Sequence, residues 1–330
     1  MTASFQPLPL LRNPHIQTVL GNLLRGPALP LSTTMHQIPL ADGDRLAIYD
    51  SAPERWRQGD PIIVFVHGLG GDHRSAYLRR IAQQLLPFGW RVVRLDLRSC
   101  GKGLPLARRP YHAGSSEDVR AVLETVHRWS PTSPLSLAGF SLGGNIVLKL
   151  AGEAADRPVA GLAKVAAVAP PIDLQRCSDL LGLPRNRFYE QRFLSELLAL
   201  ARRRRHCFPD LPRVHFPRPL TVRLFDDLYT APRNDFAGVE DYYRRSSSAP
   251  LIARIDVPTL IVTARDDPFI AVEPFEALRL PAPVELRILQ HGGHLGFLGW
   301  DGAGGIRWVE RQVVEWLIGA SNVSRFGRRV

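Results

Sequence analysis

The stretch LSLAGFSLGGNIVLKL, residues 135–150, decides the fold. Its first five residues predict a buried strand, and the apolar positions after residue 142 predict a helix, so Ser141 stands at the turn between them. A sharp turn from strand to helix lifts a serine hydroxyl clear of the backbone. Gly139 and Gly143 provide the space that this turn needs, because neighbouring chain must approach closely there. The pattern predicts a nucleophilic serine, and an ordinary glycine-rich turn is the alternative.

Short apolar runs alternate with amphipathic stretches on both sides of this segment. Such runs, rich in β-branched residues, are typical of strands buried in a parallel sheet. The predicted strands cover 62–66, 92–95, 135–139, 165–169, 260–263 and 284–289, and the predicted helices cover 77–86, 117–129, 142–155, 275–280 and 306–318. This alternation predicts an α/β fold with a doubly wound, mostly parallel sheet.

The alternation breaks between Pro171 and Ser248, where helix-like segments rich in Arg and Pro contain no pattern of a buried strand. We interpret residues 173–245 as a helical cap inserted into a core of residues 1–172 and 246–330. An amphipathic cap is expected to turn its apolar side toward Ser141 and to form a slot for an acyl chain, although these side chains could instead only pack the cap onto the core. The arginine run 202–205 is expected to stay solvated or to meet anionic head groups. The apolar side chains are Leu180, Leu181, Leu183, Phe188, Phe193, Leu194, Leu197 and Leu198.

The segment His67-Gly68-Leu69-Gly70-Gly71 follows the predicted strand 62–66. A loop at this position can offer a backbone N–H to a developing negative charge. We predict that the N–H groups of Leu69 and Leu142 form an oxyanion hole. His67 is interpreted as a residue that orders the loop rather than as a general base.

Two aspartates and two histidines follow the last two predicted strands. Asp267 is favoured over Asp266 as the acid, because the turn fixed by Pro268 can hold its side chain inward. His294, at the tip of a glycine-flanked loop, is favoured over His291, which could be a structural histidine. The order serine, acid, histidine is the one expected of a hydrolase triad with this serine turn.

Six segments together resemble the YheT-like branch of the α/β-hydrolases and the related mammalian ABHD group. They are residues 12–18, 67–71, 139–145, 225–227, 266–269 and 292–296. The resemblance implies the α/β-hydrolase fold, with about eight strands and a helical cap, and Ser141, Asp267 and His294 as the triad. It also implies hydrolysis of carboxylic esters, often of acyl lipids. We expect medium-chain esters to be cleaved through an acyl-enzyme, with no metal or organic cofactor. Thioester hydrolysis or acyl transfer by the same triad and a non-enzymatic binding scaffold are alternatives. Residues 13–18 are expected to form a packed loop.

The composition bounds the remaining classes of function. A chain of 330 residues with 45% hydrophobic and 22% charged residues can bury a large core. No apolar run is long enough for a membrane span, and the N-terminus is unlike a signal peptide. The three cysteines lack the spacing of metal or redox sites. We therefore expect a cytoplasmic enzyme. The net charge of +11 is scattered, which argues against nucleic acid as a partner and leaves weak peripheral association with anionic membrane. The expected partner is a small-molecule ester or lipid substrate, with no obligate protein partner.

Overall fold

A single eight-stranded sheet organises the chain, which a computed structural model describes over residues 5–24 and 32–319. The strand order is β1-β2-β4-β3-β5-β6-β7-β8. Pairings from β4 to β8 across the sheet are parallel, and β2 pairs antiparallel with β1 and with β4. The predicted α/β-hydrolase architecture is therefore confirmed. The strands are β1 Thr34–Pro39, β2 Arg45–Ser51, β3 Ile62–Val66, β4 Arg91–Asp96, β5 Leu135–Phe140, β6 Leu162–Val168, β7 Thr259–Ala264 and β8 Val284–Leu289.

Helices cover both faces of the sheet. The helices at 116–129 and 142–153 pack on one face, and those at 76–85 and 308–318 pack on the other, so the central strands are buried on both sides. This two-sided burial explains why β3 and β5 read as continuous apolar runs. The helices are α1 Pro14–Leu23, α2 Ala76–Leu85, α3 Ser116–Trp129, α4 Leu142–Glu153, α5 Leu174–Leu181, α6 Arg187–Cys207, α7 Val222–Phe225, α8 Val239–Ser246, α9 Ala249–Ile252, α10 Glu273–Glu276 and α11 Trp308–Ile318.

The hairpin of β1 and β2 is absent from the sequence prediction. Strand β1 exposes most of its residues and buries only Ile38, so its apolar signal is weak. The turn between the strands did carry a signal: Asp42-Gly43 is a pair typical of tight hairpins, and Gly43 adopts φ +87°. This hairpin extends the sheet beyond the six predicted strands.

The chain between β6 and β7 is helical. Residues 173–245 contain α5, α6, α7, all but the last residue of α8 and a π-helical turn at Asp226–Thr230, and they contribute no strand to the sheet. The division into a core and a cap with these boundaries stays a prediction. Among the described residues, no helix is both long enough and apolar enough to cross a membrane.

Arg204 contradicts the expectation that the whole run 202–205 is solvated. It lies seven residues after the buried Leu197 on the same face of α6 and is only 1% exposed. Its guanidinium donates to the hydroxyl of Tyr229 at 2.6 Å and to the carbonyl oxygen of Arg108. Burial lowers the pKa of Arg204. Arg202, Arg203 and Arg205 are exposed, as expected.

Candidate active site

Ser141 occupies the sharp turn between β5 and α4. Its backbone has φ 51° and ψ −124°, a conformation that a non-glycine residue adopts only under constraint. The constraint is close packing: a Cβ at Gly139 would lie 2.2 Å from the carbonyl oxygen of Gly143, and one at Gly143 would lie 2.5 Å from that of His67. Only glycine fits at both positions. Ser141 is thereby held at the positive N-terminal end of α4.

His294 and Asp267 continue a chain of hydrogen bonds from Ser141. His294 Nε2 lies 2.8 Å from Ser141 Oγ, and His294 Nδ1 lies 2.8 Å from Asp267 Oδ2. The Asp267 side chain is fully buried and that of His294 is 7% exposed, so water competes little for these bonds. Asp267 Oδ1 accepts from the backbone N–H groups of Phe269 and Ile270, at 3.1 and 3.0 Å, which fixes the carboxylate. A proton on Nδ1 leaves Nε2 as an acceptor for the serine hydroxyl.

Asp266 and His291 form a separate pair. His291 Nδ1 lies 3.2 Å from Asp266 Oδ2, and Asp266 Oδ1 accepts from the backbone N–H of Gly293 at 2.9 Å. In the described chain, neither side chain bonds to Ser141 or His294. The structure therefore brings Asp267 and His294 to the serine and uses Asp266 to shape the histidine loop.

The loop after β3 leaves one backbone N–H without a partner. The N–H of Gly68 donates to the hydroxyl of Tyr77 at 3.0 Å, and that of Gly70 donates to the hydroxyl of Tyr111 at 3.2 Å. The N–H of Leu69, between them, has no hydrogen-bond partner among the described residues. The N–H of Leu142, the first residue of α4, also has no partner within the helix. Among the described residues, the N–H groups of Leu142, next to Ser141 in the chain, and of Leu69, which lines two cavities together with Ser141, are therefore not used in another hydrogen bond.

His67 lies behind this loop and does not contact the serine. It is fully buried, with Nδ1 2.7 Å from the carbonyl oxygen of Gly68 and Nε2 accepting from the backbone N–H of Leu97 at 3.2 Å. Burial lowers the pKa of His67, so the neutral ring is favoured. The structure gives His67 the loop-ordering contacts that its position at a strand end predicts.

Residues 13–18, expected as a packed loop, form the start of helix α1 instead. The side chain of Asn13 caps the helix by accepting from the backbone N–H groups of His15 and Ile16. Pro14 at the first helical position suits this start, because the missing N–H would have no partner there. Cap and proline together were a readable helix signal.

Helix α1 holds the histidine loop, a role that sequence reasoning missed. Thr18 Oγ1 accepts from the backbone N–H of His294 at 2.8 Å. The buried Gln17 accepts from the N–H of Leu298 at 2.7 Å and donates to its carbonyl oxygen at 3.1 Å. A Cβ at Gly21 would lie 2.7 Å from Cα of Gly296, so the helix and the loop are in direct backbone contact.

Comparison with known proteins identifies the family to which this chain belongs. The family model described as alpha/beta hydrolase fold matches residues 61–299. The putative esterase YheT of Escherichia coli is 33% identical over 96% of this chain and 93% of its own. The chain belongs to the YheT-like branch of the α/β-hydrolases. The human phospholipase ABHD3 is 26% identical over 78% of this hydrolase, which spans 62% of that longer protein. The Pyrococcus furiosus esterase Pf2001 shares the fold, with a TM-score of 0.56 at 16% identity, over 88% of this chain and 96% of its own.

Ser141 of the hydrolase lies between two cavities. The larger, of about 690 Å³, also contains His294 and opens between the Leu69 loop and α6. The smaller, of about 130 Å³, runs from Ser141 under the helices that follow β6. Its walls are mostly apolar and include Leu174, Cys177, Leu181, Phe193, Leu197, Leu200, Val222, Phe225 and Ile270. Leu69, Phe193 and Phe269 border both cavities.

Five of the eight candidate slot residues of 173–245 fall into three groups. Leu181, Phe193 and Leu197 line the small cavity. Leu194 is buried against neighbouring apolar side chains, as a packing role predicts. Phe188 is 62% exposed at the large cavity. The interpretation as a slot lining therefore fits some of these apolar residues, and the interpretation as packing between cap and core fits others.

The small cavity of the hydrolase has one acidic group in its wall. Asp226 accepts from the hydroxyls of Thr230 at 2.7 Å and Tyr243 at 2.9 Å. Burial raises the pKa of Asp226 to about 6, against the opposite effect of these two bonds. Asp227, the next residue, instead accepts from the N–H of Val239 at the start of α8. In the described residues, no group of three His, Cys, Asp or Glu side chains is placed to hold a metal ion.

Proposed function

We propose that this protein is a serine hydrolase that cleaves carboxylic esters of acyl lipids through an acyl-enzyme. The observation that carries the proposal is the chain of two 2.8 Å contacts from Ser141 through His294 to Asp267, at the junction of a large and a small cavity. A nucleophile, a base and an orienting acid in this order support acyl transfer to serine. The esterase and phospholipase names of the relatives agree with an ester substrate.

The first half-reaction begins when Ser141 Oγ attacks the ester carbonyl carbon. His294 Nε2 takes the hydroxyl proton as the bond forms, and Asp267 stabilises the resulting imidazolium without becoming protonated. The negative oxygen of the tetrahedral intermediate is bound by the N–H groups of Leu69 and Leu142. Collapse of the intermediate breaks the ester C–O bond. The imidazolium returns its proton to the leaving alkoxide, which departs as an alcohol.

The second half-reaction repeats this sequence with water. His294 removes a proton from a water molecule, and this water attacks the carbonyl carbon of the acyl group bound to Ser141 Oγ. The second tetrahedral intermediate collapses, and the proton returns to Ser141 Oγ. The carboxylic acid leaves and the free enzyme is restored. The ester bond that forms between Ser141 Oγ and the acyl group is therefore broken again within one turnover, and no redox partner is required.

The two cavities support a proposal for where the two parts of the substrate bind. The small apolar cavity takes the acyl chain, because its walls are aliphatic and aromatic side chains. The large cavity takes the leaving alcohol and exchanges it with solvent. Its wall is charged on both signs, with Arg74 paired to Asp72 and Arg192 paired to Glu196, and such a wall favours a polar head group.

Hydrolysis of p-nitrophenyl esters from acetyl to dodecanoyl tests the proposal. We expect kcat/KM to rise from acetyl to medium chains, since each additional buried methylene contributes about 0.8 kcal/mol until the cavity is full. A steady fall from acetyl onward would contradict an acyl cavity, while complete inactivity on every ester would contradict the function itself.

A further inference from the structure

A further cluster of arginines lines a groove next to Tyr229. This groove of about 400 Å³ runs between the C-terminal half of α6 and the irregular segment 211–220. Tyr229 borders both the groove and the small cavity. We call this groove the basic groove, after the five arginines that line it. They are Arg202, Arg205, Arg213, Arg218 and Arg233.

The positive charge of the basic groove is not neutralised within the protein. None of the described residues that line it is acidic, although His215 adds a further basic group. In the part of the chain that the structure describes, none of the five arginines has a carboxylate within 4.0 Å. The nearby acidic residues Asp210 and Asp235 are engaged elsewhere, by Arg108 and Arg109. An uncompensated cluster of this kind attracts anions.

Apolar side chains alternate with these arginines. Leu211, Val214 and Phe216 lie in the groove wall, and the prolines at 212 and 217 border them. Arg202, Arg205, Arg213 and Arg218 are exposed at the surface. Exposed guanidinium groups interleaved with apolar side chains match the interface of a bilayer, where phosphates lie above the acyl region.

We propose that the basic groove is a docking surface for anionic phospholipid membrane. Arginine binds phosphate through paired N–H groups, and several arginines on one surface sum their attraction to a negatively charged leaflet. Helix α6 supplies both this surface and a wall of the small cavity, through Leu197 and Leu200. Docking through the groove therefore places the acyl cavity next to the phase that holds acyl lipids.

A membrane fits the groove better than a small soluble anion or a nucleic acid. The groove presents exposed guanidinium groups. Among the described residues that line it, no buried polar side chain lacks a partner and could orient one small ligand, because the hydroxyl of Tyr229 is taken by Arg204. Its walls contain aliphatic side chains but no row of exposed aromatic rings on which bases would stack. A surface with many phosphates and an apolar layer beneath them uses both features.

Vesicle sedimentation tests the docking surface directly. The wild-type protein is mixed with vesicles of phosphatidylcholine alone or with about 30% phosphatidylglycerol, and the bound fraction is measured at low and at high salt. The test variant is Arg202→Glu with Arg205→Glu. The control is Arg55→Glu with Arg279→Glu, which changes the net charge equally at two exposed positions outside the groove.

We expect the wild-type protein and the control to bind the anionic vesicles, and the test variant to lose at least about 25-fold in partition coefficient, from roughly fivefold for each arginine. Hydrolysis of soluble p-nitrophenyl esters should be equal in all three proteins, so a failure of the docking surface is separable from a failure of the proposed function. Equal losses in both variants would reduce the effect to net charge and overturn the proposal. The proposal would also be overturned if the wild-type protein bound duplex DNA instead of vesicles at physiological salt. Displacement of the protein from vesicles by millimolar inorganic phosphate at constant ionic strength would overturn it as well.

Discussion

Thr18 Oγ1 accepts a hydrogen bond from the backbone N–H of His294 at 2.8 Å, across 276 residues of sequence. The same hydroxyl donates to the carbonyl oxygen of Pro14 at 2.7 Å, so it links the first turn of α1 to the histidine loop. The loop needs this support because Gly292 and Gly293 on one side and Leu295 on the other have positive φ values. A helix near the N-terminus thus positions the residue proposed as general base.

Thr18→Val is expected to lower kcat by about 10- to 100-fold with little change in KM, because a small displacement of the imidazole disrupts proton transfer. Valine keeps the shape of threonine but leaves the N–H of His294 unpaired, which also destabilises the fold by about 1–3 kcal/mol. Steady-state kinetics and urea unfolding measure the two effects. Thr18→Ser keeps the hydroxyl and should restore kcat. If both variants lose activity equally, the hydrogen bond is not the cause.

Asp267→Asn is expected to reduce kcat by about 10⁴-fold, because an amide in place of the carboxylate favours the wrong imidazole tautomer. Asp266→Asn is the matched control at the adjacent position. It touches His291 and the N–H of Gly293 and should cost much less. Turnover of a medium-chain p-nitrophenyl ester compares the two. The reverse order of activities would exchange the roles of the two aspartates.

Asp226→Asn is expected to alter how stability depends on pH. Burial raises the pKa of Asp226 from 3.8 to about 6, so between these values the folded protein binds more protons than the unfolded chain. Raising the pH therefore favours unfolding. Relative to the variant, the wild-type protein should lose roughly 2 kcal/mol in free energy of unfolding between about pH 4 and pH 7. Urea unfolding at several pH values measures this, with Asp227→Asn as control. Parallel pH profiles for the wild-type protein and Asp226→Asn would show that Asp226 ionises normally.

Cys177→Leu is expected to shorten the preferred acyl chain, since Cys177 lines the small cavity and leucine adds volume there. Exclusion of two methylenes should lower the ratio of octanoyl to butanoyl kcat/KM roughly tenfold. Cys207→Leu makes the same exchange on α6 at a residue outside the cavity wall and should leave the ratio unchanged. An unchanged ratio in Cys177→Leu would place the acyl chain elsewhere.

The features that local sequence could predict are those with a local cause. Strands β3 and β5 are buried on both faces, so they appear as apolar runs, and the turn at Ser141 requires glycines at fixed offsets. Within the local sequence, the preference for Asp267 over Asp266 rested on Pro268, and the resemblance to the family implied the same residue; the two side chains do bond to different histidines. The Ser141, Asp267 and His294 contacts thus lie where strand ends were expected to bring them together.

The features that sequence analysis missed depend on distant contacts or weak patterns. Nothing near Thr18 indicates that its hydroxyl meets a loop 276 residues away. Strand β1 is too exposed to give an alternating pattern. Arg204 stands in a run of arginines, so the local sequence does not show that it is buried. Its burial depends on which face of α6 packs against Tyr229. The two cavities arise from packing between segments, which periodicity does not encode.

Labelling with a fluorophosphonate probe tests the central claim most directly, because the probe phosphonylates a serine oxygen, with loss of fluoride, only when a neighbouring base activates that serine. The wild-type protein, Ser141→Ala and the exposed-serine control Ser195→Ala are each labelled, and the modified residue is located by peptide mass spectrometry. The account predicts one label at Ser141 in the wild-type protein and in Ser195→Ala, and none in Ser141→Ala. Undiminished labelling of folded Ser141→Ala, or a label that maps to another serine in the wild-type protein, would contradict it.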